Sequence, residues 1–192
     1  MNRQREFERR LRTALQQHAR AVATNLGRVA QFAGDAGDGS SRMDLTWITG
    51  RVALGGGIWT AEHMAEISRA GITHIIDMQI EFDDTPLADQ FGIVVLWNPT
   101  DDDFQPKEPE LFQRGVEFAL QALEQEDAKT FIHCAAGVHR AAMMTLALLC
   151  SQGWEMEEAM QTISLRRPVV DFAEVYVNSV EKFLQQQVKT AN

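Results

Sequence analysis

A short glycine-containing loop, set between a strand-like run and an apolar helical run, constrains this 192-residue chain more than any other stretch. Phe131 and Ile132 have strand character, and the apolar run that follows the loop consists of strong helix formers. Cys134 and Arg140 enclose the loop, and Gly137 lies at its middle, where glycine tolerates a left-handed or closely approached backbone. The pattern predicts a strand, a tight loop and then a buried helix.

Such a loop is suited to binding a tetrahedral anion above a cysteine. The backbone N–H groups of residues 135–140 can turn inward as a nest, and the N-terminus of the following helix adds partial positive charge. Arg140 can hold two anion oxygens through its planar fork, and the same donors favour a thiolate at Cys134. A thiolate beneath a bound phosphoryl group predicts nucleophilic attack on phosphorus. The alternative is an inert, buried structural cysteine.

The loop resembles a known family. His-Cys-x-x-Gly-x-x-Arg, from His133 to Arg140, is the signature of the protein tyrosine phosphatase superfamily, and residues 43–186 look most like its small dual-specificity branch. The resemblance implies that Cys134 is the nucleophile and forms a phosphocysteine intermediate. It also implies a phosphate-binding set that consists of Ala135, Ala136, Gly137, Val138, His139 and Arg140.

Further roles follow from the same resemblance. The family usually has Ser or Thr after the arginine, whereas this chain has Ala141, as phosphatases of regenerating liver do, which implies slow breakdown of the intermediate. His133 is expected to shape the loop by hydrogen bonding. His139 either touches the substrate or faces solvent. Asn178 falls where some relatives place a glutamine that orients water.

Three adjacent aspartates precede the signature strand, on a loop that follows a predicted strand. A carboxylic acid facing the thiolate can protonate the leaving oxygen, and the residues alone leave Asp101, Asp102 and Asp103 open for this role. The cluster could instead form a turn ahead of Pro106. In relatives the general acid is followed by a proline three positions later, which implies Asp103 as the general acid and Asp102 as the second choice.

The chain divides into three segments. Residues 1–33 have apolar side chains at spacings of three and four, which predicts an amphipathic helix. Residues 34–42 have the composition of a flexible linker, and residues 43–192 form the predicted phosphatase domain. We expect the N-terminal helix to pack on the domain or to self-associate through a second copy, with membrane-surface contact and partner docking as lesser alternatives.

Within residues 43–192, strands alternate with helices, which predicts an α/β fold with a central, mostly parallel, twisted sheet flanked by helices. In such sheets, sites lie beyond the carboxyl ends of the strands. We predict a helix over 61–70, a buried strand over 92–97 and a core-facing helix over 109–126. The acidic segment 79–84 either borders the site or is a solvated loop.

Composition excludes some classes of protein. The net charge is −9, although residues 1–33 carry seven arginines against two glutamates, so the predicted domain is strongly acidic and a nucleic-acid partner is not expected. The two cysteines do not form a disulfide framework, and no Cys/His cluster has zinc spacing. No apolar run reaches the length of a membrane span, and no signal peptide is evident. We expect a cytoplasmic protein that uses neither metal nor cofactor.

The expected activity is hydrolysis of phosphate monoesters: phosphotyrosine in proteins, with phosphoserine, phosphothreonine and small phosphomonoesters as further substrates. A second hypothesis is a phosphatase for a non-protein substrate such as a phosphoinositide or a phospho-carbohydrate. A third is a phosphate-binding pseudophosphatase or adaptor, which Ala141 motivates.

Overall fold

The computed structural model describes residues 42–190, apart from the side chain of Thr190. The helix predicted over residues 1–33 lies outside the described residues, as does the predicted linker up to residue 41. Their structure, and any self-association or membrane contact by the helix, stay predictions.

The described chain folds into one sheet and six helices. The strands are β1 (Leu45–Trp47), β2 (Val52–Gly55), β3 (His74–Asp77), β4 (Val94–Trp97) and β5 (Thr130–His133). The helices are α1 (Ala61–Arg69), α2 (Thr85–Ala88), α3 (Pro109–Leu123), α4 (Arg140–Ser151), α5 (Met156–Arg166) and α6 (Glu174–Thr190), and a single 3-10 turn (Asp89–Phe91) follows α2.

The sheet has the order β1-β2-β5-β3-β4, with only β1 antiparallel to its neighbour. The register aligns side chains in rows across the three central strands. One row is Leu54, Ile132 and Ile76, which pack toward α3, α4, α5 and α6. The adjacent row, made of Ala53, Phe131 and Ile75, packs toward α1 and α2. The predicted α/β fold with a mostly parallel sheet is therefore confirmed.

Helix α4 is the central helix of the domain, because all its residues from Arg140 to Leu149 are buried. A helix that is apolar on every side must be surrounded by other elements. Here β5, α3, α5 and α6 surround it. Its first residue follows directly from the signature loop, so the packed core holds that loop in place.

Several predicted elements are confirmed and one is wrong. Thr60 caps α1 by accepting a hydrogen bond from the His63 N–H at 3.2 Å. The strand within 92–97 exists, but it is an edge strand rather than a buried one. Val94 is 52% exposed and Trp97 is 46% exposed, because β4 pairs with β3 on one side only. The predicted core-facing helix ends at Leu123, three residues before the predicted end, and its Leu120 is exposed.

The loop between β5 and α4 passes very close to the end of β2. Gly137 has a φ of 62°, and a Cβ added there would overlap the carbonyl group of Gly55 and lie 2.6 Å from Arg167 Nη2. Gly92 has a similar φ of 65°, but no heavy atom of the described chain lies within 4 Å of a Cβ built there. The two glycines therefore share a backbone conformation and differ in crowding.

We expect Gly92→Ala to lower the free energy of unfolding by about 1 kcal/mol, the cost of a left-handed L-residue. Gly137→Ala should lower it by at least about 1 kcal/mol more, because it adds overpacking to the same backbone cost. Urea denaturation of the two variants measures the difference. Equal losses would show that the loop does not depend on the close approach to β2.

Candidate active site

The signature loop has its carbonyl groups bonded on the outside. The Gly57 N–H donates to the Ala135 carbonyl at 3.1 Å, and the Asp171 N–H donates to the Val138 carbonyl at 3.3 Å. The two carbonyls between them accept from the Arg167 guanidinium, at 3.2 Å to Ala136 and 2.9 Å to Gly137. In a trans peptide the next N–H points opposite to the carbonyl. The N–H groups of residues 136–139 therefore face inward as an anion-binding nest.

Arg167, at the end of α5, is the side chain that holds the outside of this loop. It is 5% exposed, and its two terminal nitrogens donate to the Asp44 carboxylate at 2.7 and 2.6 Å. Arg167 thus forms an ion pair with Asp44, and the loop carbonyls are its additional partners.

Arg140, at the first turn of α4, has one edge of its guanidinium engaged by other protein groups. Its Nη1 and Nη2 donate to the two carboxylate oxygens of Glu81, each at 2.8 Å, and Nη1 also reaches the Thr100 carbonyl at 3.2 Å. Its Nε is buried and has no hydrogen-bond partner among residues 42–190. A guanidinium has five N–H donors. The Nε–H and the second Nη2–H therefore form a side-on pair that fits two oxygens of an anion.

Glu81 shows that the acidic segment 79–84 borders the site. Hydrogen bonding to the Arg140 guanidinium lowers the pKa of the Glu81 carboxyl. Burial alone would lower the pKa of Arg140, but Glu81, Cys134 and Asp102 together raise it, so the guanidinium stays charged. The fork is thus held in a fixed orientation by a carboxylate on its far edge.

The aspartate loop approaches the signature loop through Asp102. Asp102 Oδ2 lies 3.0 Å from His139 Nδ1, and its Oδ1 accepts from the Tyr176 hydroxyl at 2.9 Å. Burial alone would raise the pKa of Asp102, but the contacts with His139, Tyr176 and Arg140 hold it below its usual value. Asp102 is therefore tied to the loop and to α6 at the same time.

Asp103 has different partners. Its carboxylate accepts from the Lys107 ammonium and from the Gln105 N–H, the latter at 3.0 Å, and the hydrogen bond from Lys107 lowers the pKa of Asp103. The chain turns at Phe104, a non-glycine residue with a φ of 54° whose ring stacks on Tyr176. The structure brings Asp102 to Arg140 and His139, and it directs Asp103 toward Lys107.

His139, the last loop residue before Arg140, is 9% exposed, so the expectation that it faces solvent is wrong. Its Nε2 lies 3.4 Å from Asp171 Oδ2, and the edge of the Phe104 ring packs on the imidazole at a centroid distance of 5.0 Å. No local pattern predicts these contacts, because Asp102 and Asp171 lie more than thirty positions away on either side of His139.

His133 lies at the end of β5, beneath the loop, in a fully buried polar cluster. Its Nε2 is 2.9 Å from Asp84 Oδ2 and 3.8 Å from Asp77 Oδ1. Burial, together with the charge of Asp84, raises the pKa of Asp77 to about 7 against the opposing effect of His133. His133 thus lies within ion-pair distance of Asp84, the residue that precedes α2, and its predicted shaping of the loop by hydrogen bonding stays a prediction.

These three side chains are also the one group between residues 42 and 190 whose ligand atoms lie close enough to hold a metal ion, within 4.8 Å of one another. All three are fully buried. Both Asp84 carboxylate oxygens, both His133 ring nitrogens and Asp77 Oδ2 are buried without a hydrogen-bond partner among residues 42–190.

Helix α6 contributes to the site through residues that sequence reasoning missed. Tyr176 accepts from the Phe104 N–H at 2.9 Å while it donates to Asp102, and Ser179 Oγ accepts from the Lys107 N–H at 3.0 Å. The predicted site residue Asn178 is exposed on another face of the helix. Tyr176 is the only tyrosine in the chain, and a buried phenol needs a polar partner, which was the available signal.

The sheet order places the cysteine–arginine loop at the carboxyl end of β5, the central strand. Residues 57–186 match the sequence pattern of the family described as "Dual specificity phosphatase, catalytic domain". This match covers more than half of the chain, and the chain therefore belongs to that family.

Individual relatives agree with this assignment. The chain is 30% identical over 113 residues to dual specificity protein phosphatase 26 of Homo sapiens. The alignment covers 57% of this chain and 54% of the relative. It is 28% identical over 117 residues to protein phosphatase Slingshot homolog 3 of Mus musculus. That alignment covers 60% of this chain but only 17% of the relative. The chain thus spans about half or less of the length of these relatives.

Solved structures share the fold. PTPMT1 in complex with PI(5)P superposes with a TM-score of 0.69 at 21% identity, and the alignment covers 77% of this chain and 99% of that one. Human DUSP28 superposes with a TM-score of 0.64 at 19% identity, with the same coverage. None of the helices between residues 42 and 190 combines the length and the apolarity that a membrane crossing needs.

We expect Arg167→Lys to weaken binding of inorganic phosphate about tenfold, because one ammonium cannot hold both loop carbonyls and the Asp44 carboxylate, and a charge-assisted hydrogen bond contributes about 1.5–3 kcal/mol. Isothermal titration calorimetry measures the Kd. Arg166→Lys, the same change at the exposed neighbouring position, is the matched control. Equal phosphate affinity in both variants would show that the nest does not need Arg167.

Proposed function

We propose that this chain is a cysteine-dependent phosphatase that hydrolyses phosphate monoesters through a phosphocysteine intermediate. The observation that carries the proposal is the loop that follows the buried Cys134, in which the carbonyls of residues 135–138 are all bonded outward. Four inward N–H groups and the side-on edge of Arg140 suit the three oxygens of a phosphoryl group.

In the proposed first step, the Cys134 thiolate attacks phosphorus in line with the ester oxygen. The Sγ–P bond forms and the P–O bond to the leaving group breaks, while the loop N–H groups and Arg140 stabilise the charge on the transferring group. In the second step, water attacks phosphorus, releases inorganic phosphate and restores the thiolate. These protein groups supply the nucleophile and the charge neutralisation, so we propose that no metal ion takes part.

We propose Asp102 as the general acid, ahead of Asp103, which the sequence resemblance favoured. Asp102 interacts with the charge of Arg140 and is fixed by His139 and Tyr176, whereas Asp103 is engaged by Lys107 and the Gln105 N–H. An acid must be held next to the leaving oxygen, and that oxygen lies beside the phosphate-binding arginine.

The proposed substrate class is phosphotyrosine in proteins. Trp59 and Phe82 are exposed aromatic residues whose ring centroids lie 6.1 Å apart. Phe82 follows Glu81, the partner of Arg140, and Trp59 lies two residues after Gly57, which bonds to the loop. An aromatic rim beside a phosphate site fits an aryl phosphate.

A phosphoinositide remains the second substrate class, because the structural neighbour PTPMT1 was solved with PI(5)P. The charges at the site favour a single phosphoryl group instead. Arg140 and Arg167, the arginines that bond at the loop, are both paired with carboxylates. We also keep the cytoplasm as the proposed location, since a reducing compartment preserves a catalytic thiolate.

We expect wild-type protein to hydrolyse p-nitrophenyl phosphate in the presence of EDTA, and Cys134→Ser to show no turnover. Because Ala141 lacks a hydroxyl group, the intermediate should accumulate and give a burst of p-nitrophenol in stopped-flow measurements. Folded, reduced wild-type protein that binds phosphate but shows no turnover would support the pseudophosphatase alternative.

The acid assignment is tested with phenyl phosphate, whose leaving group needs a proton. We expect Asp102→Asn to lower kcat by about 10²–10³-fold, within the usual range for general acid catalysis, and Asp103→Asn to change it by no more than about twofold. With p-nitrophenyl phosphate, the loss in Asp102→Asn should shrink, because p-nitrophenolate is a better leaving group. A larger loss in Asp103→Asn would restore Asp103 as the acid.

A further inference from the structure

His139 occupies a position between two carboxylates that a neutral imidazole cannot satisfy. Its Nδ1 faces Asp102 and its Nε2 faces Asp171, at 3.0 and 3.4 Å. Ionised carboxylates only accept hydrogen bonds, and a neutral imidazole has one N–H. Both contacts are made at once only by the imidazolium form. The geometry therefore implies that His139 carries a proton within hydrogen-bonding distance of the proposed general acid.

We propose that His139 and Asp102 act as one unit that holds the single proton which the leaving group receives. This inference rests on the phosphatase function proposed above and assigns His139 a role of its own in it. In this role the His139 imidazole acts through Asp102 and is a positioning group, which keeps a proton available to Asp102, while the His139 backbone N–H belongs to the proposed nest.

The surroundings of the unit favour one shared proton. The groups that face it are Asp171 and Tyr176, together with Arg140 on the side of the phosphate site. Burial alone would lower the pKa of His139, but hydrogen bonds and charge from Asp102 and Asp171 raise it above its usual value. The same contact holds the pKa of Asp102 down. Between these two pKa values the unit carries one proton.

The unit solves a difficulty for the proposed reaction. An aspartate with a lowered pKa is ionised near neutral pH and has no proton to give. An imidazolium next to a carboxylate has the same charge and the same number of protons as an imidazole next to a carboxylic acid. The unit can therefore deliver a proton up to the raised pKa of His139, well above the range of an isolated aspartate.

The proton balance of the reaction is complete. As the Sγ–P bond forms and the P–O bond breaks, the ester oxygen takes the proton through Asp102, which leaves a carboxylate beside a neutral imidazole. When water attacks the phosphocysteine, its proton returns to the same unit. Each turnover therefore begins and ends with His139 and Asp102 singly protonated.

The experiment is the pH profile of kcat/KM for phenyl phosphate in wild type and His139→Gln, between about pH 5 and about pH 9. We expect the alkaline limb of His139→Gln to move at least about one pH unit lower, with a rate near neutral pH reduced about tenfold or more. With p-nitrophenyl phosphate the shift should be much smaller. Asp171→Asn should shift the alkaline limb in the same direction, by less than His139→Gln does.

His74→Gln is the matched control, because His74 begins β3, at the end of the sheet away from the loop. The alkaline limb of the His74→Gln pH profile should coincide with that of wild type. A His139→Gln protein that is active with an unshifted limb overturns the shared proton but leaves the phosphatase function standing. A wild type that hydrolyses neither ester contradicts the function itself.

Nitrogen NMR of the histidine rings measures the protonation state of His139 directly. The measurement needs neither an activity assay nor a variant that must fold. We expect both nitrogens of the His139 ring to be protonated in wild type at about pH 7, above the ordinary histidine pKa of about 6.5. A neutral His139 ring at that pH overturns the proposal.

Discussion

The structure depends on how the four carbonyl groups of residues 135–138 are satisfied. A loop can direct successive N–H groups inward only if its carbonyls find partners on the outside, since buried polar groups without partners are costly. Those partners come from distant parts of the chain: the Gly57 N–H after β2, the Arg167 side chain at the end of α5, and the Asp171 N–H before α6. The order of elements around α4 can be understood as the arrangement that brings these donors to one place.

The same arrangement reconciles an acidic protein with a site for an anion. The cations at the loop are few and buried, and each is neutralised on its outer side by a partly exposed carboxylate, Glu81 for Arg140 and Asp44 for Arg167. Backbone amides supply the rest of the positive potential without adding net charge. The chain therefore needs no extended basic surface to bind a phosphoryl group, which is consistent with a net charge of −9.

Local sequence patterns predicted the helices and strands. They could not predict the long-range contacts that create the site. The run around Cys134, the cap at Thr60 and the α/β alternation are properties of neighbouring residues, and the structure contains all three. An apolar run such as β4 looks the same whether it lies at the centre or at the edge of a sheet, so its exposure could not be read from the sequence. The partnership of Arg167 with Asp44 joins positions 123 apart, and no pattern of spacing encodes it.

The adjacent residues Asp102 and Asp103 show how tertiary contacts assign different roles to side chains of the same type. Phe104 takes a left-handed conformation that a non-glycine residue adopts only when its surroundings compensate the cost. The stack with Tyr176 and the hydrogen bond from its own N–H to the Tyr176 hydroxyl provide that compensation. Asp102 is thereby held against His139 while the next carboxylate turns toward Lys107. Because an acid fixed beforehand needs no reorganisation during the reaction, we interpret the strain at Phe104 as the structural cost of positioning Asp102, the proposed proton donor.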